Sequence, residues 1–328
     1  MSTGGDQAGG THTMAAVSRL CIDAGQTGTR IRTRADGREQ VGIRDGIRTD
    51  RPILDQLADL VGEVIASAGA SVREIAIGSS GLTPAHADAG RLLTSLADLD
   101  VETVALTHDS VSAYLAANRL VFGVVTAVGT GVVTLGVGSA GVARVDGWGH
   151  LFGDAGSAYW IGRAGVEAAL RDFDGRGPTT GLRSAAIQSF GPLDELYMAV
   201  QTAADRVSRV AAFATAVADH AEVGDAVAIS IIDDAAAELA ASALTALRRS
   251  GYRPGDPARM SWAGTVLDRN EHLRNAFADR ITGRAPGVEI GPGLGEPLDG
   301  VELTLDLPAG HPLHTEVSYA DRRSLSPR

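Results

Sequence analysis

Residues 22–30 read Ile22-Asp23-Ala24-Gly25-Gln26-Thr27-Gly28-Thr29-Arg30 and follow the apolar pair Leu20-Cys21. The pattern predicts a strand, a tight glycine turn and a second strand. A hairpin of the form Asp-x-Gly-x-Thr-x-Thr brings a carboxylate, backbone N–H groups and two hydroxyls to one turn, which is what a polyphosphate with its divalent metal requires. The alternative is an ordinary hairpin rich in glycine and threonine, and this motif alone does not decide between them.

A second glycine–threonine turn, Gly129-Thr130-Gly131, lies between two apolar runs about a hundred residues later. Two such hairpins, each opening a domain, suggest a duplicated fold whose phosphate loops face one cleft. The nearby stretch 136–141 matches Gly-x-Gly-x-x-Gly, but another predicted strand follows it where a dinucleotide fold would need a helix. We therefore interpret 136–141 as a hairpin turn.

Asp109 comes directly after an apolar strand predicted at 102–106, where a helix predicted at 111–120 begins. Ligands collect at the carboxyl ends of strands in open α/β sheets, and an Asp there can accept a hydrogen bond from a substrate hydroxyl. The alternative is that Asp109 only caps the helix. His108, beside it, is more often a packing or surface histidine than a catalyst.

Two further glycine-containing loops are candidates for ligand contact. Residues 147–163 combine many glycines with two of the three tryptophans, and glycine allows backbone to approach a ligand closely. Asp154 in this loop is a candidate for binding sugar hydroxyls or supporting a metal. Residues 260–266 predict a strand and a glycine turn, which is a plausible adenosine-side loop.

Composition excludes several classes of function. The formal net charge is −11 without a basic stripe, so nucleic acid and anionic membranes are poor partners. All 29 basic residues are arginine, which excludes a Walker A lysine and a Schiff-base lysine. The single cysteine, Cys21, cannot form an internal disulfide or an iron–sulfur site, and we interpret it as buried and inert. The polar start of the chain does not resemble a signal peptide, so a cytoplasmic location is expected.

Hydrophobic periodicity predicts an α/β protein with a disordered leader at 1–16 and a disordered polar tail at 309–328, which contains His311 and His314. Further strands are predicted at 40–43, 73–78 and 288–290. Helices are predicted at 53–68, 87–97, 157–171, within 193–220, and at 225–249, 268–281 and 296–307.

The order of these motifs, with Asp174-Gly175-Arg176-Gly177-Pro178, resembles the N-acetylglucosamine kinase-like branch of the BadF/BadG/BcrA/BcrD ATPase family. That family belongs to the superfamily of sugar kinases, actin and heat-shock chaperones. The resemblance implies two ribonuclease-H-like domains of actin/hexokinase type, at 17–106 with 294–308 and at 107–293, with an ATP cleft between them. It also implies a helical insert in the second domain, Mg²⁺ as a cofactor and a homodimer.

Site residues follow from the same resemblance, position by position. Asp109 takes the place of the catalytic base and substrate contact, and Asp23 that of the metal contact. The ATP contacts fall at Gly25, Gln26, Thr27, Gly28, Thr29, Gly129, Thr130, Gly131, Gly264 and Thr265. Further sugar contacts fall at Gly129, Gly147, Gly153 and Asp154, and Asp45 and Arg48 are candidates in the loop 44–52, where the family commonly has an asparagine. Ala155 departs from the acidic residue that usually follows Asp154.

The expected function is transfer of the γ-phosphoryl group of ATP to an amino sugar resembling N-acetylglucosamine, at its 6-hydroxyl. One alternative is the ATPase activator of a dehydratase, which needs cysteines to bridge an iron–sulfur cluster between subunits. The other is a sugar sensor without turnover, which would need a DNA-binding helix pair that the leader is too short to form.

Overall fold

The structure, a computed structural model, describes residues 18–325 apart from residues 27, 36, 70, 84 and 85. The predicted leader at 1–16 lies outside the described residues. The first sheet begins with an antiparallel meander, to which two parallel strands are added on the other side of its first strand. These strands are β1 (Arg19–Ala24), β2 (Thr29–Ala35), β3 (Arg38–Arg44), β4 (Glu74–Ser79) and β5 (Thr103–His108), in spatial order β3-β2-β1-β4-β5.

Three helices accompany the first sheet: α1 (Ile53–Ala68), α2 (Ala89–Ser95) and α3 (Asp109–Asn118). Helix α1 has the predicted bounds because its apolar residues recur on one face and bury Leu57, Val61 and Val64. It ends at Gly69, which adopts the left-handed conformation with φ 61° that closes many helices. Helices α1 and α2 thus cover the apolar strands β1, β4 and β5 in one core.

The second sheet repeats the order of the first. Its strands are β6 (Gly123–Val128), β7 (Val132–Gly138), β8 (Gly141–Val145), β9 (Arg259–Ala263) and β10 (Glu289–Pro292), in spatial order β8-β7-β6-β9-β10. Again a meander of three antiparallel strands is followed by two parallel ones. The turn after β1 and the turn after β6 are therefore equivalent positions, which confirms the predicted duplication.

Helices inserted between β8 and β9 form most of the second core. They are α4 (Ala158–Phe173), α5 (Leu182–Phe190), α6 (Leu196–Gln201), α7 (Arg206–Ala212), α8 (Ala214–Glu222) and α9 (Ala226–Arg249). The segment predicted as helical within 193–220 is divided into α6, α7 and α8, and α5 was not predicted. Helices α10 (Thr265–Arg269) and α11 (Glu271–Thr282) replace the single helix predicted at 268–281. Within the described part of the chain, no helix is long and apolar enough to span a membrane.

The chain returns to the first sheet near its end, and here the prediction of a disordered tail was wrong. After α12 (Pro297–Leu303), which is shorter than predicted, residues Pro312–Glu316 form a 3₁₀ helix. Strand β11 (Val317–Asp321) then pairs antiparallel with β5, and α13 (Arg322–Leu325) follows. The Thr107 hydroxyl donates to the Glu316 carbonyl at 2.8 Å, so the edge of β5 is filled by a strand that is distant in sequence.

The two histidines of the predicted tail are ordered parts of this return. The His311 ring accepts a hydrogen bond from the Leu313 backbone N–H and so caps the 3₁₀ helix. The His314 ring stacks on Tyr319, with 4.8 Å between the ring centroids.

Candidate active site

The turn between β1 and β2 is closed by a hydrogen bond from the Gly25 N–H to the Gly28 carbonyl, 3.1 Å long. Predicted contact Thr27 lies outside the described residues. Thr29, at the start of β2, is fully buried, and its hydroxyl has no hydrogen-bond partner among the described residues. Both backbone groups of Gly25 are thus used within the fold, and the described turn offers the N–H groups of Gln26 and Gly28 to a ligand. The Thr29 side chain faces the protein interior.

The loop 44–52 packs directly on this turn. The Ile47 N–H donates to the Gly25 carbonyl at 2.9 Å, and a Cβ on Gly46 would overlap the Gln26 backbone. Asp45, next to Gly46, is exposed, so it lies beside the turn with its side chain toward solvent. Arg48 is also exposed, but its guanidinium is paired with Asp50 at 2.7 Å.

Asp23 lies at the end of β1, one residue before the strand ends, with 17 % of its side chain exposed. Burial raises the pKa of this carboxyl, the Arg30 guanidinium 3.2 Å away lowers it, and the negative charge of Asp109 raises it further. The net pKa is above the ordinary value. Asp23 and Asp109, 86 positions apart in the sequence, are thus close enough to repel each other.

Asp109 begins α3, and 35 % of its side chain remains exposed. Its Oδ2 accepts a hydrogen bond from the Ser80 hydroxyl, and its Oδ1 is 2.8 Å from Nδ1 of His108. Burial alone would raise the pKa of Asp109, but His108 and Ser80 outweigh it and hold the pKa below the ordinary value. Nδ1 of His108 also lies 3.1 Å from the backbone nitrogen of Ser110, where it caps α3 when the ring nitrogen carries no proton. Asp109 is therefore an ionised, oriented and accessible carboxylate.

The turn between β6 and β7 is tied to the start of α4. Gly129 N–H donates to the Gly131 carbonyl at 2.8 Å, and the carbonyls of Gly129 and Thr130 accept from the N–H groups of Ala158 and Tyr159. This turn and the first turn of α4 therefore form one unit. Asp154 also lies against it, because a Cβ on Gly131 would be 2.5 Å from the Asp154 Oδ2.

The glycine-rich loop that precedes α4 is organised by Asp146, a residue that the sequence analysis did not single out. Its carboxylate accepts hydrogen bonds from the backbone N–H groups of Gly147, Asp154 and Ala155, at 2.7 to 2.9 Å. A Cβ on Gly153 would lie 2.5 Å from Asp146 Oδ1. The only signal in the sequence was an acidic residue before the glycine run, which is common in ordinary turns.

Asp154 itself is buried, and its Oδ1 accepts from the Gly149 N–H at 3.1 Å. Burial raises the pKa of Asp154, the bond from Gly149 lowers it, and the neighbouring Asp146 raises it; the net direction is upward. Asp154 therefore links the loop to Gly131.

Gly264, directly after β9, packs against the turn between β6 and β7. It has φ +94°, and a Cβ there would overlap the carbonyl oxygen of Val128, the last residue of β6. A cavity of about 470 Å³ lies beside this contact, and its walls include Gly129, Thr130 and Thr265. Helices α7 and α8 close the other side with small residues, among them Ala211, Ala214 and Ala218. Cavities of this size hold small-molecule ligands.

Helix α3 carries Asp109 at its start and contacts the second sheet at its end. The Asn118 side chain at its C-terminal end donates to the carbonyls of Val124 and Arg259, at the starts of β6 and β9. Helix α3 also packs against β6, in a core that includes Val111, Leu115 and Val125.

The chemistry of Asp23 and its surroundings fits a divalent cation bound together with a nucleotide. Across the described residues, no set of three or more His, Cys, Asp or Glu side chains is arranged to hold a metal. Mg²⁺ bound with a nucleotide typically uses one or two carboxylates together with phosphate oxygens. Asp23 matches that requirement, because it is a hard oxygen donor whose pKa is raised mainly by burial, and a bound cation would stabilise its ionised form.

Residues 8–293 match the BadF/BadG/BcrA/BcrD ATPase family. The chain belongs to this family. Two curated proteins are similar to it: an N-acetyl-D-glucosamine kinase from Dictyostelium discoideum, at 28 % identity over 173 residues, and an N-acetylmuramic acid/N-acetylglucosamine kinase from Clostridium acetobutylicum, at 29 % over 172 residues. Those alignments cover 52 % and 51 % of this chain, and the chain spans only 54 % and 56 % of the length of these curated relatives.

The fold of this BadF/BadG/BcrA/BcrD ATPase family member is that of the two-domain actin/hexokinase type. A proposed N-acetylglucosamine kinase from Chromobacterium violaceum superimposes with a TM-score of 0.66 at 20 % identity, over 88 % of this chain and 98 % of the other. A ROK family glucokinase from Streptomyces griseus, solved with glucose and AMPPNP, gives a TM-score of 0.50 at 14 % identity, over 87 % and 97 %.

Proposed function

We propose that this protein is an ATP-dependent sugar kinase that phosphorylates an amino sugar of the N-acetylglucosamine type at its 6-hydroxyl. The observation that carries the proposal is Asp109: a partly exposed carboxylate at the carboxyl end of β5, held by Ser80 and placed near Asp23. In this family a carboxylate at that position has the chemistry of a general base. The named relatives support a sugar as the acceptor.

The nucleotide is assigned to the cavity beside Gly264, to the turn between β6 and β7 and to the turn between β1 and β2. The base and ribose of ATP would occupy the cavity bounded by Thr265 and by helices α7 and α8. The phosphates would extend past Gly129–Gly131 toward the backbone N–H groups of Gln26 and Gly28. Backbone donors suit this task because they neutralise phosphate charge without a lysine, which this chain lacks.

The sugar is assigned to the space beside Asp109. Gly129, Gly147, Gly153 and Asp154 would border it on one side, and the loop with Asp45 and Arg48 on the other. In the reaction the sugar oxygen forms a bond to the γ-phosphorus, the bond from that phosphorus to the β–γ bridging oxygen breaks, and the hydroxyl proton moves to Asp109. Mg²⁺ held by Asp23 would neutralise charge on the phosphates when it is bound.

Asp109 suits an aligning role more than a strongly basic one. Its lowered pKa keeps it ionised at neutral pH, so it accepts a hydrogen bond from the sugar hydroxyl and fixes the direction of attack. Phosphoryl transfer asks an enzyme mainly for such positioning and for charge stabilisation.

A panel of sugars in a coupled ADP-release assay tests the proposal, with the phosphorylated position of the product assigned by NMR. Sugar-dependent ADP release by wild type is expected, and Asp109→Asn should lower kcat by about 10²-fold or more while KM for ATP changes little. Asp59→Asn, at an exposed position of α1, serves as the matched control. ADP release that no sugar stimulates would contradict the kinase and favour an activator ATPase, and the absence of any ADP release would favour a sensor.

A homodimer, a cytoplasmic location and a two-domain division near residue 107 belong to the same proposal. In that division, β11 joins the first domain with 294–308. Light scattering coupled to gel filtration tests the dimer, with a mass of twice 33.7 kDa as the expected result.

A further inference from the structure

The His108 ring has one nitrogen at the centre of three contacts. Nδ1 lies 2.8 Å from Oδ1 of Asp109, 3.1 Å from the backbone nitrogen of Ser110 and 2.9 Å from the Ser110 hydroxyl. These partners make different demands. The carboxylate can only accept, the Ser110 N–H can only donate, and the hydroxyl can do either.

A proton on Nδ1 therefore decides what His108 does. Without it, Nδ1 accepts from the Ser110 N–H and acts as the cap of α3, but its lone pair then faces a carboxylate oxygen at 2.8 Å. With it, Nδ1 donates to Asp109. A hydrogen bond to an ionised acceptor is roughly twice as strong as a neutral one, so the second arrangement is favoured.

We propose that His108 is a positioning residue for Asp109, whose Nδ1–H holds one carboxylate oxygen while the Ser80 hydroxyl holds the other. The two donors lie on different segments, one on the last residue of β5 and one directly after β4, and together they prevent rotation of the carboxylate. The remaining lone pairs of the Asp109 carboxylate then keep a constant direction toward the hydroxyl of the sugar. The consequence for turnover rests on the proposed kinase function; the hydrogen bond itself does not.

The hydrogen bond from His108 also keeps Asp109 apart from Asp23, the proposed cation contact. Asp23 and Asp109 repel each other, and within the described part of the chain Arg30 forms its ion pair with Asp23. The Nδ1–H group of His108 stabilises the negative charge of Asp109. Because this donor belongs to Asp109 alone, it does not compete with a phosphate or a cation that binds at Asp23. Without that donor, we expect Asp109 to rotate away from Asp23 and lose its alignment.

Three substitutions at position 108 separate positioning from helix capping. Asparagine has both an acceptor and an N–H donor, so His108→Asn should retain kcat within about threefold. Aspartate caps helices well but cannot donate, and its charge would lie against Asp109, so His108→Asp should lose kcat by about tenfold or more, with KM for ATP unchanged. His108→Ala should lose kcat and also some stability. Wild-type kcat in His108→Asp, or equal losses in the Asn and Asp variants, would overturn the proposal.

A second measurement does not depend on activity. Long-range ¹H–¹⁵N NMR of the wild-type protein at neutral pH reports whether Nδ1 of His108 carries a proton, with His108→Asn identifying the signal. A protonated Nδ1 supports the proposal, whereas a neutral ring with the proton on Nε2 alone overturns it. If no sugar is phosphorylated by wild type, the kinase proposal fails and this measurement still decides the role of His108.

Discussion

The Asp154 carboxylate occupies the space that a side chain on Gly131 would need, with Oδ2 2.5 Å from the ideal Cβ position. This contact joins the glycine-rich loop to the second turn of the duplicated fold. It explains why the turn must be glycine at 131 in geometric terms, before any ligand is considered.

Gly131→Ala should therefore destabilise the protein, because either Asp154 or the turn must move. We expect the melting temperature, measured by calorimetry without ligand, to fall by about 4 °C, corresponding to roughly 1–2 kcal/mol. Gly129→Ala is the matched control on the same turn, since a Cβ there meets nothing within 4 Å. Equal melting temperatures for the two variants would contradict this contact.

Gly264 offers a second comparison. Gly264 and Gly287 both have φ +94°, but a Cβ on Gly264 would overlap the Val128 carbonyl, whereas a Cβ on Gly287 meets nothing within 4 Å. Alanine at either position incurs the same backbone strain, so the difference between the variants isolates the overlap. We expect Gly264→Ala to weaken ATP binding in calorimetric titrations by about tenfold or more relative to Gly287→Ala. Similar ATP affinities would separate Gly264 from the nucleotide site.

Asp146 is predicted to hold the glycine-rich loop in place. Asp146→Asn tolerates the positive φ of 59° at this position, but its amide N–H₂ would face one of the three backbone donors that the carboxylate now satisfies. Hydrogen–deuterium exchange of residues 147–155 should become faster, and stability should fall by about 1–3 kcal/mol. Asp174→Asn is the control, because Asp174 accepts the Arg176 N–H in an exposed turn. Unchanged exchange in the Asp146 variant would assign the loop's order to other contacts.

Asp23 should reduce stability at neutral pH. The pKa of Asp23 is higher in the folded state than in the unfolded chain, so the folded state favours the neutral carboxyl. Ionisation of Asp23 at neutral pH therefore lowers the free energy of unfolding. This loss of stability is recovered as the pH falls through the folded pKa. We therefore expect Asp23→Asn to raise the melting temperature at pH 7 by about 1–3 °C without ligand, and the gain to shrink toward acidic pH.

The same variant should lose sugar-dependent ADP release, because the proposed cation contact is gone. Asp59→Asn again provides the control, since that carboxylate is exposed. A pH-independent melting temperature difference between Asp23→Asn and wild type would contradict the raised pKa. Full activity at ordinary Mg²⁺ concentrations would remove Asp23 from the cation site.

Local sequence determined the two glycine turns, the bounds of α1 and the strand that delivers Asp109, because each depends on neighbours within a few residues: glycine for tight turns, apolar spacing for a buried face. The repeat of Gly25–Gly28 at Gly129–Gly131 was also visible, and with it the duplicated fold. Tertiary structure alone decided which side chains meet. Asp109 is held by Ser80, Asp146 binds the backbone of a loop that extends nine residues beyond it, and β11 pairs with a strand more than 200 residues earlier. Such contacts form because packing two sheets brings distant segments together, and no local periodicity encodes which polar atoms will then be neighbours.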